Sequence, residues 1–161
     1  MERTRTIEWE DPFLTVRSAP GRTGLELIQD VFDGKLPPPP ITATMGFVGV
    51  EVKEGWAAFE GDPDESLFNP IGVIHGGWAM TLLDSAMGCA VHTTLAAGER
   101  YTTLELKANF VRPITLETGR VRCEGTIVHR GGTVATAEAR LFVKSSGKLL
   151  AHGSTTCLVI R

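Results

Sequence analysis

Apolar residues crowd the middle of the chain. Between Asn69 and Leu95 the sequence reads NPIGVIHGGWAMTLLDSAMGCAVHTTL, a loop followed by a proline-free run. In that run Trp78, Met80, Leu82, Leu83, Ala86, Met87, Ala90 and Val91 fall on almost every face of a helix. A helix that is apolar all round belongs inside a protein. At about 20 residues it approaches the length of a membrane span. Asp84 and the polar Thr81, Ser85, His92, Thr93 and Thr94 dilute it, so it reads as the core helix of a soluble domain.

After Ala97-Gly98-Glu99 the pattern changes to period two. Tyr101 to Val111 alternates over most of its length and stops before Pro113, which predicts a strand. Residues 119–128, 133–144 and 148–160 predict three more, joined by turns at HRGG and SSG to complete a four-strand meander. Upstream, residues 45–52 and 56–60 predict a hairpin about Lys53-Glu54-Gly55. Leu25, Ile28 and Phe32 are spaced as on a short amphipathic helix over 24–32, lying on the outside of the body and ending near Gly34. Pro37 to Pro40 cannot continue that helix and predict a stiff polyproline connector. In residues 1–22, Trp9, Pro12, Phe13 and Pro20 are the docking points to expect. The expected class is α+β, with a long central helix against one antiparallel sheet of about six strands and a short N-terminal helix.

Bulk properties narrow the function classes. A chain of 161 residues is one domain's worth, and a net charge of −3 argues against a nucleic-acid binder. Cys89, Cys123 and Cys157 are odd in number and widely spaced, which predicts buried thiols in a reducing compartment rather than a disulfide framework. MERTRTIEWEDP holds no apolar run of the secretory type, so the expected location is cytoplasmic, with no membrane partner. No P-loop or dinucleotide fingerprint occurs, and no histidine pair has metal-ligand spacing, so neither cofactor nor metal is expected. His92, His129 and His152 read as helix-end, strand-end or surface residues.

Asp84 is the most informative residue. A carboxylate inside an apolar helix is paired or has work to do. His75 lies nine positions earlier, about 900° and 13 Å away on one helix, so the two point to opposite sides. Either they are unrelated, or a second copy of the chain brings its Asp84 to this copy's His75 and Gly76, a contact that twofold symmetry repeats. The amides of Gly76 and Gly77 begin the helix as unpaired donors and suit a developing oxyanion.

The segment N-P-x-G-x-x-H-G-G-x-x-x-x-L-x-D resembles the active-site segment of hotdog-fold acyl-CoA thioesterases of the phenylacetate-pathway (PaaI-like) type, over about residues 44–160. The resemblance implies an N-terminal arm at 1–43, a hotdog thioesterase domain at 44–161 and sites at a dimer interface. It implies that Gly76 binds the thioester carbonyl, with Gly77 beside it, and that His75 orients or polarises that carbonyl. The partner's Asp84 would act as general base on water or as nucleophile; as an alternative, it fixes dimer register. Asn69 would lie near the carbonyl and water, or serve the turn before Pro70. Thr103 would assist the carboxylate, or be an ordinary strand residue. Arg130 and Gly131 would meet coenzyme A phosphates, or form a solvated turn. Together these imply hydrolysis of an (aryl)acyl-CoA by a homodimer, further assembled as a dimer of dimers. The rivals are a hydratase or dehydratase on the same fold and a non-catalytic acyl-CoA-binding protein.

Overall fold

The computed structural model describes residues 2–161. Three short helices come first: α1 (Phe13–Arg17), α2 (Gly24–Phe32) and α3 (Pro40–Met45). The hairpin β1 (Phe47–Lys53) and β2 (Trp56–Gly61) leads to the long helix α4 (Gly76–His92). The strands β3 (Arg100–Phe110), β4 (Val121–Arg130), β5 (Val134–Val143) and β6 (Leu149–Ile160) complete the chain. All six strands form one antiparallel sheet in the order β1-β2-β4-β5-β6-β3. No described helix is long and apolar enough to cross a membrane.

The sheet wraps α4, and composition explains how closely. Ala135, Ala137, Ala139 and Leu141 of β5 are buried in the core with Trp78, Leu82, Leu83, Met87 and Val91 of α4. A Cβ on Gly125 of β4 would stand 2.3 Å from the Ala86 carbonyl oxygen, so the helix lies directly on the strand backbone. The Trp78 indole N–H donates to the Met45 carbonyl at 2.7 Å and fixes the helix start against the end of α3. At the other end, the Thr93 hydroxyl accepts from the Gly55 amide at 2.8 Å, tying the last turn to the β1–β2 hairpin.

Three features depart from the pattern read in the sequence. The last four strands are not one meander: β3 pairs with β6 and β4 crosses to β2, which curls the sheet around α4 and leaves β1 and β3 as its edges. Alternation reports faces of a sheet, not neighbours within it. Pro40 does not extend a polyproline rod; it opens α3, because proline's fixed φ and missing N–H suit the first helical turn. Trp9 and Phe13 stay 61% and 62% exposed; the arm instead docks through α2, which buries Leu27 and Ile28. A capping box, in which Thr23 and Glu26 exchange hydrogen bonds, sets the start of α2.

Candidate functional site

One stripe of α4 is not covered by the sheet. Met80 and Asp84, four residues apart, are exposed, whereas Leu82, Leu83, Ala86 and Met87 are fully buried. Asp84 is thus not the buried carboxylate that the apolar run implied: within the protomer its carboxylate reaches solvent. Thr103 stands opposite on β3, and its hydroxyl donates to Asp84 Oδ1 at 3.2 Å. Leu104 is an extra residue in the β3–β6 register, and the bulge falls beside Thr103. Such a bulge changes the direction of the side chains next to it.

At the N-terminus of α4, His75 is the cap residue, with extended backbone. Its Nδ1 accepts from the Gly77 amide at 2.8 Å, so the neutral ring carries its proton on Nε2 as an outward donor. Of the two glycine amides expected to be free, Gly77 is therefore engaged. The Gly76 amide has no hydrogen-bond partner among the described residues. It opens on a cleft of about 280 Å³ lined by His75, Ala79, Phe110 and Pro113. A Cβ on Gly76 would stand 3.3 Å from the Phe110 ring, narrowing that cleft.

Asn69 shapes the approach to this turn. Its Oδ1 accepts from the amides of Ile71 and Val73 at 3.1 and 3.2 Å, which folds the loop before His75. The carbonyl side of this amide is committed to the loop.

Asp84 opens on a different and larger cavity of about 590 Å³. Within one protomer, Asp84 lies eight positions beyond Gly76 on the helix, about 12 Å along the axis. Cys89 lines the Asp84 cavity, but burial, with the Asp84 charge second, pushes its thiol up to about 12. It is a protonated thiol, not a nucleophile.

Arg130 and Gly131 lie elsewhere. Arg130 pairs with Ala135, Ala135 with Cys157 and Cys157 with Thr103, which puts Arg130 three strand spacings from Thr103, about 14 Å. Its guanidinium bonds to Glu99 and to the Gly131 carbonyl, while its Nε is buried without a partner among the described residues. Arg161 shares Glu99 at 3.2 Å. Among the described residues no three of His, Cys, Asp and Glu converge as a metal site.

The sequence reading did not anticipate Tyr101 as a lining residue, and it gave His92 no role beyond the helix end; both line the Asp84 cavity. Neither has a local sequence signal, because the cavity is bounded by arm residues far away in the chain.

Comparison with known proteins identifies the family. The family described as the thioesterase superfamily matches residues 71–150, the span from the His75 turn to the start of β6. A protein of Saccharolobus solfataricus, provisionally named an esterase, is 31% identical over 112 residues, 70% of this chain and 77% of its own. A crystal structure from Ralstonia eutropha, titled as a provisional thioesterase related to phenylacetic acid degradation, superposes with a TM-score of 0.71 at 28% identity. It covers 81% of this chain and 97% of the other. The phenylacetic acid degradation protein PaaI from Thermus thermophilus, as an N33D mutant, gives a TM-score of 0.66 at 25% identity, over 74% of this chain and 97% of that one. With a six-stranded sheet wrapped around a central helix and these likenesses in sequence, the chain belongs to the thioesterase superfamily and is a hotdog-fold thioester hydrolase.

Proposed function

We propose that the protein hydrolyses acyl-CoA thioesters to free acid and coenzyme A at sites shared between two copies of the chain. One observation carries this reading: a carboxylate and an unspent amide donor occur on one helix but open into different clefts, about 12 Å apart along the axis. A twofold partner unites them twice, each Asp84 meeting the other chain's Gly76. β3 is an edge strand, so pairing β3 with its copy continues the sheet. Ile71, Phe110 and Val111, near Gly76, are 83%, 51% and 45% exposed in the protomer, apolar surface that such a dimer would cover. Trp9, Phe13 and Val16 on the arm, 61%, 62% and 63% exposed, would be covered in a dimer of dimers.

In the shared site the Gly76 amide donates to the thioester carbonyl oxygen and His75 Nε2 donates beside it. Asp84, held by Thr103, takes a proton from water, and the hydroxide adds to the carbonyl carbon. Negative charge collects on the oxygen at the Gly76 amide, where the helix dipole favours it. The C–S bond then breaks, the acid is released, and the coenzyme A thiolate takes up the proton. Direct attack by Asp84 would give a mixed anhydride that water opens to the same products. Label left in Asp84, with unlabelled acid released, after single-turnover hydrolysis in ¹⁸O water would establish the anhydride route with water entering at the Asp84 carbonyl; label in the acid is common to general-base hydrolysis and to opening at the acyl carbonyl. Asn69 serves by holding the loop that presents His75. Arg130 and Gly131 would meet the nucleotide end of coenzyme A, with the Glu99 pairing exchanged for phosphate. The free thiols of Cys89, Cys123 and Cys157 suit a reducing, cytoplasmic setting.

The test is thioester hydrolysis by purified protein, followed by release of free thiol from phenylacetyl-, benzoyl- and aliphatic CoA esters. Turnover that is lost in Asp84→Asn supports the assignment; turnover at the wild-type rate in Asp84→Asn refutes it.

A further inference from the structure

The stripe of α4 that the sheet leaves uncovered has two halves. Toward the C-terminal end, Ser85, Gly88 and His92 face the N-terminal arm across a shared cavity. Toward the N-terminal end the stripe is open, and it reads Gly76, Gly77, Met80, Thr81 and Asp84. Met80 is the one long apolar side chain in that series, and it is 37% exposed. The Thr81 hydroxyl turns back to donate to the Gly77 carbonyl at 2.8 Å, so it is engaged within the helix. The distance between packed helices depends on the side chains at their contact. With glycine and threonine around it, Met80 decides how near a second helix can come.

The shared site identifies that second helix as the same helix of another copy. If Asp84 of each chain faces Gly76 of the other, the two helices run antiparallel, and each carboxylate lies at the positive end of the other helix. Met80 is four residues, about 6 Å, from Gly76 and the same from Asp84. A twofold axis that exchanges those two positions therefore passes Met80 and pairs it with its own copy. The edge strand leads to the same axis. Thr103 bonds to Asp84, and the Phe110 ring lies over Gly76. Leu104 is the extra residue of the bulge; with it set aside, Lys107 is midway between Thr103 and Phe110. Pairing β3 with its copy about Lys107 brings Leu106 of each strand level with Ala108 of the other. Both are only half-buried in the protomer, on the side packed against the core.

We propose that Met80 meets its own copy on the dimer axis and that this contact sets the gap between each Asp84 and the glycine turn of the other chain. Met80 is then a positioning residue for both sites at once. The proposal rests on the shared-site reading and deepens it. Helices packed about 8–10 Å apart put the two facing Cα atoms of residue 80 about 5 Å apart, within the span of a disulfide. A wider gap takes the thioester carbonyl out of reach of water held by Asp84, and a narrower one leaves that water no room. A misplacement of about 1 Å is enough to cost up to about 10²-fold in rate.

The experiment oxidises Met80→Cys protein with copper phenanthroline and runs it on a non-reducing gel beside wild type and Ser85→Cys. Met80→Cys is expected to give mostly disulfide-linked dimer. In Ser85→Cys the two thiols would stand about 15 Å apart along the helices, so this control and wild type are expected to run as single chains. Met80→Ala reads the spacing: kcat is expected to fall about tenfold, with KM changed less than about twofold and the dimer mass in sedimentation unchanged. Met80→Leu, which restores bulk, is expected to recover most of the rate. If Met80→Cys yields no more linked dimer than wild type, the contact is overturned. A Met80→Ala dimer with wild-type kcat, or a loss of rate that comes only with dissociation, overturns the positioning role. Hydrolysis by wild type without the Met80→Cys link leaves the thioesterase reading standing and removes this inference; the link in a protein that hydrolyses no CoA ester removes the reading and keeps the contact.

Discussion

The Thr103 hydroxyl donates to Asp84 Oδ1 at 3.2 Å, joining an edge strand to the uncovered stripe of the core helix. The bond holds one carboxylate oxygen and leaves the other for water or substrate. Thr103→Ala is expected to lower kcat about tenfold with a smaller change in KM, the loss of one hydrogen bond to a charged group. Thr103→Ser, which keeps the oxygen, is expected to recover most of the rate. Equal loss in both variants would assign Thr103 a packing role.

Asp84 carries the proton transfer or the attack in the proposed reaction. Asp84→Asn is expected to reduce kcat by about 10²–10⁴-fold, while leaving the thermal midpoint within a few degrees of wild type. The carboxylate is exposed in the protomer, so removing its charge deprives no buried partner. Steady-state thiol release and thermal unfolding monitored by circular dichroism check the two halves.

Gly125 fixes the distance between β4 and α4. A methyl group there would stand 2.3 Å from the Ala86 carbonyl oxygen, a backbone atom that cannot swing aside. Gly125→Ala is expected to destabilise the fold by about 1–3 kcal/mol, as overpacking does, and to lower activity because α4 carries both His75 and Asp84. Urea unfolding measures the first effect. A midpoint unchanged from wild type would mean that the helix shifts at little cost.

Glu60 is 3% exposed and accepts from Arg120 Nε at 2.9 Å, Arg122 Nη1 at 3.0 Å and Lys144 Nζ at 2.7 Å. Burial alone would raise its pKa, but the hydrogen bonds from Lys144, Arg120 and Arg122 outweigh it and hold the carboxyl at about 2, against an ordinary 4.5. A depressed folded-state pKa gives stability that is full above the unfolded value and is lost as pH falls toward the folded one. Wild-type protein is therefore expected to lose on the order of 3 kcal/mol from this group between about pH 4.5 and 2. In Glu60→Gln that loss is absent, so the stability gap between the two proteins narrows over the same window. Urea titrations at several pH values check this; a gap independent of pH would contradict it.

Much of the fold could be read from the chain because its signals are local. The α2 boundaries followed from the spacing of Leu25, Ile28 and Phe32, and the six strands from alternation and turn residues. Strand order could not be read that way, since the pairing of β3 with β6 is set by how the sheet closes around α4. Asp84 was identifiable as a carboxylate in an apolar run, but not its exposure, because one stripe of that run remains outside the sheet. Gly76 and Gly77 look equivalent in sequence; only the His75 ring, by capping Gly77, separates them. Arg130 was legible as a turn arginine, whereas its pairing with Glu99 joins residues 31 positions apart. Tyr101 and His92 carry no motif, since their surroundings are made by the docked arm.

In the proposed dimer each site takes its carboxylate from one protomer and its glycine turn from the other. Differently tagged Asp84→Ala and His75→Ala chains, co-expressed and purified through both tags, give hybrid dimers in which one shared site is doubly altered and the other is intact. Each parent homodimer is expected to be strongly impaired, and the hybrid to recover about half the wild-type rate, one site of two. A hybrid no more active than its parents would contradict a site shared across the interface.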